Sequence, residues 1–287
     1  VIAILGPTAT GKSALAVRLA RRFGGEIVSA DSRQLYRGMD VGAGKISRIQ
    51  MQGIPHHLLD VASPKRRWTV VQYEHAATQA VGKINGPVWL VGGSPFYVEA
   101  ALYPGRLPNV PPNRALRKQL SRWTTSKLTA QLRVLDPERA AIVDLHNRVR
   151  IMRAVEIAMA LGTVPQRPRE QSPYRILKIG LRIPPPELKK RIYTRLYARM
   201  RAGMVAEVRR LHNSGLSWKA LESFGLEYRF LALYLQGKLS KEEALNLLER
   251  AINAFTRRQM TWWKRDPEIH WIRTEREVTA LTRQFLR

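Results

Sequence analysis

A chain of 287 residues with 45% hydrophobic and 8% aromatic side chains can bury a sizeable core, as one large domain with an insertion or as two smaller domains. Lysine and arginine number 49 against 22 aspartates and glutamates, a formal net charge of +27, which points to a polyanion, nucleic acid before membrane, and which a small-metabolite kinase does not need. The absence of cysteine excludes disulfides, thiolate-bound zinc and a thiol nucleophile and suits the cytosol, and no run approaches the roughly 18 apolar residues of a membrane span.

The first element in chain order is an apolar run, residues 1–5, which reads as a buried strand. It leads into a phosphate loop instead of a cleavage site, so neither a signal peptide nor a membrane anchor is expected in it, and the expected location is cytoplasmic. In "GPTATGKS" the spacing G-x-x-x-x-G-K-[ST] is met by Gly6, Gly11, Lys12 and Ser13, and "ALAVRLARRF" behind it has helical spacing. In that setting the loop of Gly6, Pro7, Thr8, Ala9, Thr10 and Gly11 turns backbone N–H groups towards a polyphosphate. The helix start and Lys12 add positive charge, and Ser13 offers a hydroxyl to Mg²⁺.

Further strands are expected at residues 26–29 and 88–91, the first reached through a helix of crossover length, which makes a parallel α/β sheet covered on both faces. Ligands of such sheets bind beyond the carboxyl ends of the strands, where Asp31 stands. Asp31 is therefore a candidate general base or outer-sphere Mg²⁺ ligand, with a turn or helix cap as the structural alternative. The third strand ends "VWLVGGSPFY" without the acidic residue with which many nucleotide hydrolases hold Mg²⁺, which counts against hydrolysis.

Pro104, Pro108, Pro111 and Pro112 mark a change of composition, and Arg-rich helical stretches follow over residues 113–162 until a second proline-rich stretch at 165–173. This reads as a helical domain, residues 107–171, inserted into a catalytic core made of 1–106 and 172–287. "YRILKIGLRI" returns to the sheet, Pro184, Pro185 and Pro186 open a long helix, and residues 187–266 read as helical throughout. His56 and His57 are read as structural, because no spacing of His, Asp and Glu suggests zinc.

The ordered set "GPTATGKS", "ADSRQLYRGMDVGAGK", "PHHLLD", "VGGSPFY", "NRVRIMRAVEI", "RIYTRLYARMRAGMVAEV", "SFGLEYR" and "RRQMTWWKRDPEIHW" resembles the tRNA dimethylallyltransferases, the isopentenyl transferases of bacterial type. The resemblance runs to about Trp271. It implies transfer of a dimethylallyl group from dimethylallyl diphosphate to N6 of the adenosine 3′-adjacent to the anticodon, in tRNAs reading codons that begin with U, with Mg²⁺ and release of diphosphate. It implies Asp31 as base with Lys12 and Ser13 in the catalytic set, and Arg195 beside residues 6–13 on the donor diphosphate. It places Asp31, Ser32, Arg33, Gln34, Ser94, Arg117, Arg148, Arg150, Arg153, Arg257, Arg258, Gln259 and Lys264 against the anticodon stem-loop. A monomer is expected.

Departures from the family pattern are Ser94 for Thr, Pro95 after it, Val149 for Gln, and Leu226 with Glu227 where Gly-Tyr-Arg is commoner. Arg148, Arg150 and Arg153 are expected on or near one helix face. Trp262 and Trp263 either stack on bases or fill the core. Two other enzymes remain as alternatives, an isopentenyltransferase acting on free adenine nucleotides and a P-loop small-molecule kinase. A basic RNA-binding module without catalysis leaves residues 6–13 beside Asp31 unexplained.

Overall fold

The computed structural model describes residues 1–165 and 172–287. Among them six strands form one parallel sheet: β1 (Ile2–Leu5), β2 (Glu26–Ser29), β3 (His56–His57), β4 (Val88–Gly92), β5 (Leu177–Leu181) and β6 (Ile269–Ile272), in the order β3-β2-β4-β1-β5-β6. All of β1 and β4 is buried, as unbroken apolar strands between two layers of helices must be. Helix Lys12–Phe23 lays Leu15, Val17 and Leu19 into the cluster of Ile4, Trp89 and Ile179 that forms the core on one side of the sheet.

Two strands lay outside the expectation. β3 is a two-residue edge strand, too short for any periodicity, and it gives His56 and His57 the structural place expected of them. β6 follows Pro267, where the helical reading ends; the ends of "IHWI" are buried and its middle is not.

β1 and β4 lie side by side, and the chain leaves them in opposite directions, from β1 towards β2 and from β4 towards β5. A crevice therefore opens beyond their carboxyl ends. Close backbone approach shapes it: a Cβ on Gly92 would stand 2.1 Å from the Ala30 carbonyl oxygen, so only glycine lets the ends of β2 and β4 meet.

The chain divides into two compact units, Val1–Pro104 with Ser172–Arg287, and Gly105–Gln171. The second unit consists of helices Arg114–Leu120, Thr125–Leu135, Pro137–Ile142 and Arg148–Leu161 around Leu120, Leu128, Leu132, Ile151 and Val155. Asn113, Thr124, Asp136 and Asn147 start these helices by accepting a backbone N–H three residues on.

Candidate active site

The loop between β1 and helix Lys12–Phe23 is set by Gly6 (φ 139°) and Gly11 (φ 88°), both on the glycine side of backbone space, and Ala9 joins them at φ 64°. Gly11 caps the helix without a side-chain hydrogen bond, so the N–H groups of the first turn are left to the crevice. Inside the loop the Thr10 hydroxyl donates to the Pro7 carbonyl at 2.9 Å, and the Lys12 ammonium donates to the same carbonyl at 2.6 Å. Burial of the ammonium, helped by nearby Arg195 and opposed by Asp31, pushes the Lys12 pKa down to about 7. Ser13 is exposed on the first helical turn.

Asp31 follows β2 half-buried. Its Oδ1 accepts the Arg33 N–H at 2.8 Å, so it does cap a turn, while no hydrogen bond reaches Oδ2 among the described residues. The structural and the chemical readings of Asp31 thus fall on different oxygens. Ser94 ties this turn to the end of β4, its hydroxyl accepting the Ser32 N–H at 3.3 Å.

Arg33 is half-buried and is braced from within the protein. Its Nε donates to the Phe224 carbonyl at 2.7 Å and its guanidinium carbon lies 5.7 Å from the Phe224 ring centroid. Gln34 also turns inward, with Ser29 Oγ and the Gly44 carbonyl oxygen each at 3.4 Å.

The loop after this turn, residues 40–45, is held by side chains that sequence reasoning did not single out. Glu207, fully buried on helix Met204–Asn213, accepts the N–H groups of Asp40, Val41 and Gly42 at 2.9, 2.7 and 2.9 Å and the Tyr228 hydroxyl at 2.9 Å. Arg199 donates to the Val41 carbonyl at 2.6 Å, to the Gly42 carbonyl, and to Glu227 at 2.9 Å. Lys45 pairs with Asp40 and Asp60 at 2.6 Å each. A glutamate at apolar-face spacing, with Met204, Val208 and Leu211, was the available signal for Glu207, but its partners are loop N–H groups, which leave no mark in a sequence.

Beyond this loop Arg195 donates to the Gly44 carbonyl at 3.2 Å. Burial, then the like charge of Arg199, lowers its pKa. With Ala9, Gly11, Glu187, Arg191 and Thr194 it lines a cleft of about 580 Å³ between the glycine loop and helix Pro185–Arg201. One side of the crevice is therefore a cationic wall, and Asp31 is close enough to act on the charges of both Lys12 and Arg195.

The block after residue 256 divides. Arg257, Arg258 and Lys264 are exposed. Gln259, expected against RNA, is instead 4% exposed: its amide oxygen accepts the Thr8 N–H at 3.1 Å and its amide nitrogen donates to the Gly93 carbonyl at 2.6 Å. Trp263 is core at 2% exposure, whereas Trp262 packs on Phe96 with ring centroids 4.8 Å apart.

In the second unit the arginines also separate. Arg148 and Arg150 lie two residues apart, about 200° around a helix, so the expected common face does not exist. Arg148 donates to the carbonyls of Leu120 and Ser121 at 3.3 and 2.9 Å. Arg117 and Arg153 grip Glu156 at 2.6 and 2.5 Å, and Arg150, more than half exposed, reaches Asp144 only at 3.6 Å. Burial pushes the Glu156 pKa up, but the bonds from Arg117, Arg153 and the Asn113 N–H pull it below the usual carboxylate range.

Fold and site together define an open α/β protein with a cationic crevice at the strand ends, suited to a phosphate-bearing substrate. The chain belongs to the IPP transferase family: that model matches residues 34–266, the isopentenyl transferase model matches residues 1–66, and the protein is a transferase. It is 39% identical to tRNA dimethylallyltransferase 1 of Geotalea uraniireducens, over 100% of this chain and 96% of the relative. It is 42% identical to tRNA dimethylallyltransferase of Treponema pallidum, over 94% and 90%. The crystal structure of the full-length tRNA isopentenylpyrophosphate transferase from Bacillus halodurans superposes with a TM-score of 0.76 at 30% identity, covering 99% of this chain and 96% of the other. A eukaryotic dimethylallyltransferase acting on tRNA shares the fold, with a TM-score of 0.79 at 21% identity over 95% and 73%. No helix among the described residues is long and apolar enough to cross a membrane.

Proposed function

We propose that this transferase moves a dimethylallyl group from dimethylallyl diphosphate to N6 of the adenosine 3′-adjacent to the anticodon, in tRNAs reading codons that begin with U. The observation that carries the reading is the unbonded Oδ2 of Asp31 opposite a wall made by Lys12, Arg195 and the open first turn of helix Lys12–Phe23. A proton acceptor facing a diphosphate cradle is what a substitution at carbon needs, with an amine as nucleophile and diphosphate as leaving group.

In this reading the N6 lone pair forms a bond to the terminal allyl carbon as the carbon–oxygen bond to diphosphate breaks. Asp31 takes the N6 proton, and Lys12, Arg195 and the uncapped N–H groups at the start of helix Lys12–Phe23 stabilise the charge growing on diphosphate. Ser13 Oγ would hold Mg²⁺ together with diphosphate oxygens and water. The described residues contain no cluster of three His, Asp or Glu able to hold a metal, which fits an ion that takes most of its ligands from substrate and solvent. Bound there, it would neutralise charge on the leaving group.

The RNA is held through the net charge of +27, by the exposed Arg257, Arg258 and Lys264 and by Arg150 of the inserted unit. The reading includes a monomeric, cytoplasmic enzyme. The deciding experiment incubates the protein with Mg²⁺, labelled dimethylallyl diphosphate, unmodified tRNA and free adenine nucleotide, separates RNA from nucleotide, then digests the RNA and identifies the labelled nucleoside. Label in N6-dimethylallyladenosine from the anticodon loop is expected. Label only in free adenine nucleotides, or none, overturns the proposal.

A further inference from the structure

Phe96 and Trp262 are large aromatic side chains placed where a core has no use for them. Phe96 is 45% exposed, although it stands in the first turn of helix Pro95–Leu102, and Trp262 is half-buried near the end of helix Lys241–Trp263. Their rings meet at 4.8 Å with a 55° tilt, so each supports the other and an open aromatic surface remains.

Two connections put that surface at the rim of the crevice. Phe96 lies two residues after Ser94, whose hydroxyl accepts the Ser32 N–H next to Asp31. Trp262 lies one turn after Gln259, whose amide bonds Thr8 of the glycine loop and the Gly93 carbonyl. The pair thus stands on two segments whose side chains brace the turn of Asp31 and the phosphate loop.

Its surroundings are cationic. Arg258, one turn before Trp262, and Lys264, two residues after it, are exposed and form no ion pair among the described residues. On the Trp262 side the nearest carboxylates in sequence, Asp266 and Glu268, are both held by Lys178 at 2.7 Å, and on the Phe96 side Glu99 follows one turn later, half-buried. An exposed aromatic face with Arg258 one turn away on the same helix, its guanidinium over the Phe255 ring, and Lys264 just beyond matches a nucleobase with its phosphates, because a base offers a π-face while its backbone supplies the anions.

We infer that Phe96 and Trp262 form a stacking platform for an unpaired RNA base adjoining the acceptor adenosine, with Arg258 and Lys264 on its phosphates. The inference rests on the tRNA reading and extends it: the site grips a neighbouring base, so that the acceptor adenosine enters the crevice as part of a splayed loop. Stacking tolerates any base, so the platform contributes to affinity and register more than to sequence choice.

The test uses anticodon stem-loop RNAs carrying 2-aminopurine on the 5′ or the 3′ side of the acceptor adenosine. With the wild-type protein, binding is expected to change the fluorescence of at least one of the two probes through stacking. Phe96→Ala should abolish that signal and raise the RNA Kd about tenfold, while Phe96→Tyr, which keeps the ring, retains both. The donor KM and the slope of affinity against salt should stay as in wild type, since no charge is lost; the contact with Trp262 is lost, so a small drop in the melt is expected, and a drop in the melt with RNA affinity unchanged would mean that the ring serves packing alone. Unchanged RNA affinity in Phe96→Ala, or a silent probe at both positions, overturns the platform and leaves the transferase reading intact. A wild-type protein that binds no stem-loop RNA and prenylates free nucleotides overturns both.

Discussion

The side-chain amide of Gln259 accepts the Thr8 N–H at 3.1 Å across 251 residues of sequence. A helix from the C-terminal region thereby holds the loop that follows the first strand, and the other end of the same amide holds the Gly93 carbonyl at 2.6 Å. Gln259→Leu keeps the bulk but orphans the buried Gly93 carbonyl, at about 1–3 kcal/mol, and the part-buried Thr8 N–H, at less. We expect a lower melting temperature together with a raised donor KM. A melt and a KM both equal to wild type would mean that the loop holds its shape unaided.

Asp31→Asn preserves an Oδ1 acceptor for the Arg33 N–H and so should keep the turn. It cannot take up a proton at neutral pH. Single-turnover transfer with both substrates saturating should slow by roughly 10² fold or more, with affinities for donor and RNA little changed. A loss confined to donor affinity would make Asp31 an organiser of Mg²⁺ instead.

Lys12, with its pKa pushed to about 7, should make donor capture pH-dependent. Below that pH the free protein presents an ammonium to the diphosphate. Above it the amine is neutral, so binding must take up a proton and kcat/KM for the donor should fall by up to tenfold per pH unit. In the complex the diphosphate raises the pKa of Lys12, so kcat should stay flat over the same range. Lys12→Arg, charged throughout, should lose this slope; a slope that survives the substitution belongs to another group.

Glu207 accepts three loop N–H groups and one hydroxyl, and glutamine offers only one oxygen for the work of two. Glu207→Gln should cost about 1–3 kcal/mol, read in a denaturant melt, and should raise the donor KM because the loop carries the Gly44 carbonyl that orients Arg195. Tyr228→Phe, which removes a single bond, should cost about 0.5–1.5 kcal/mol.

Arg117 and Arg150 should behave oppositely although the family resemblance gives both the same role. Arg117→Gln leaves the buried Glu156 with one arginine fewer, so it should destabilise the protein. Arg150→Gln removes an exposed charge with a weak partner, so it should leave the melt alone and flatten the logarithmic salt dependence of RNA binding by about 1. Salt dependence altered by Arg117→Gln in a fully stable protein would return Arg117 to the RNA.

What could be read from the chain was whatever depends on near neighbours in it. The glycine spacing at residues 6–13, the unbroken apolar strands and the proline boundaries are local constraints of backbone geometry and burial, and each has one structural answer. The place of Asp31 just beyond the carboxyl end of β2 was legible too, because it depends only on where the strand ends. Arg195 came from the resemblance, and the structure puts it at the cleft.

Which polar side chains face the ligand and which face the protein was not legible. Arg33, Gln34 and Gln259, which the resemblance gives to RNA, also bond peptide groups of the protein, and those of Phe224, Thr8 and Gly93 lie 166 or more residues from their partners. The same holds for Glu207, whose partners are three backbone N–H groups of a loop 165 or more residues earlier. A residue type states what a side chain can donate or accept. Only the packed fold brings a distant backbone group within 3 Å of it, and a buried group left without that partner would cost more than a contact at the surface returns.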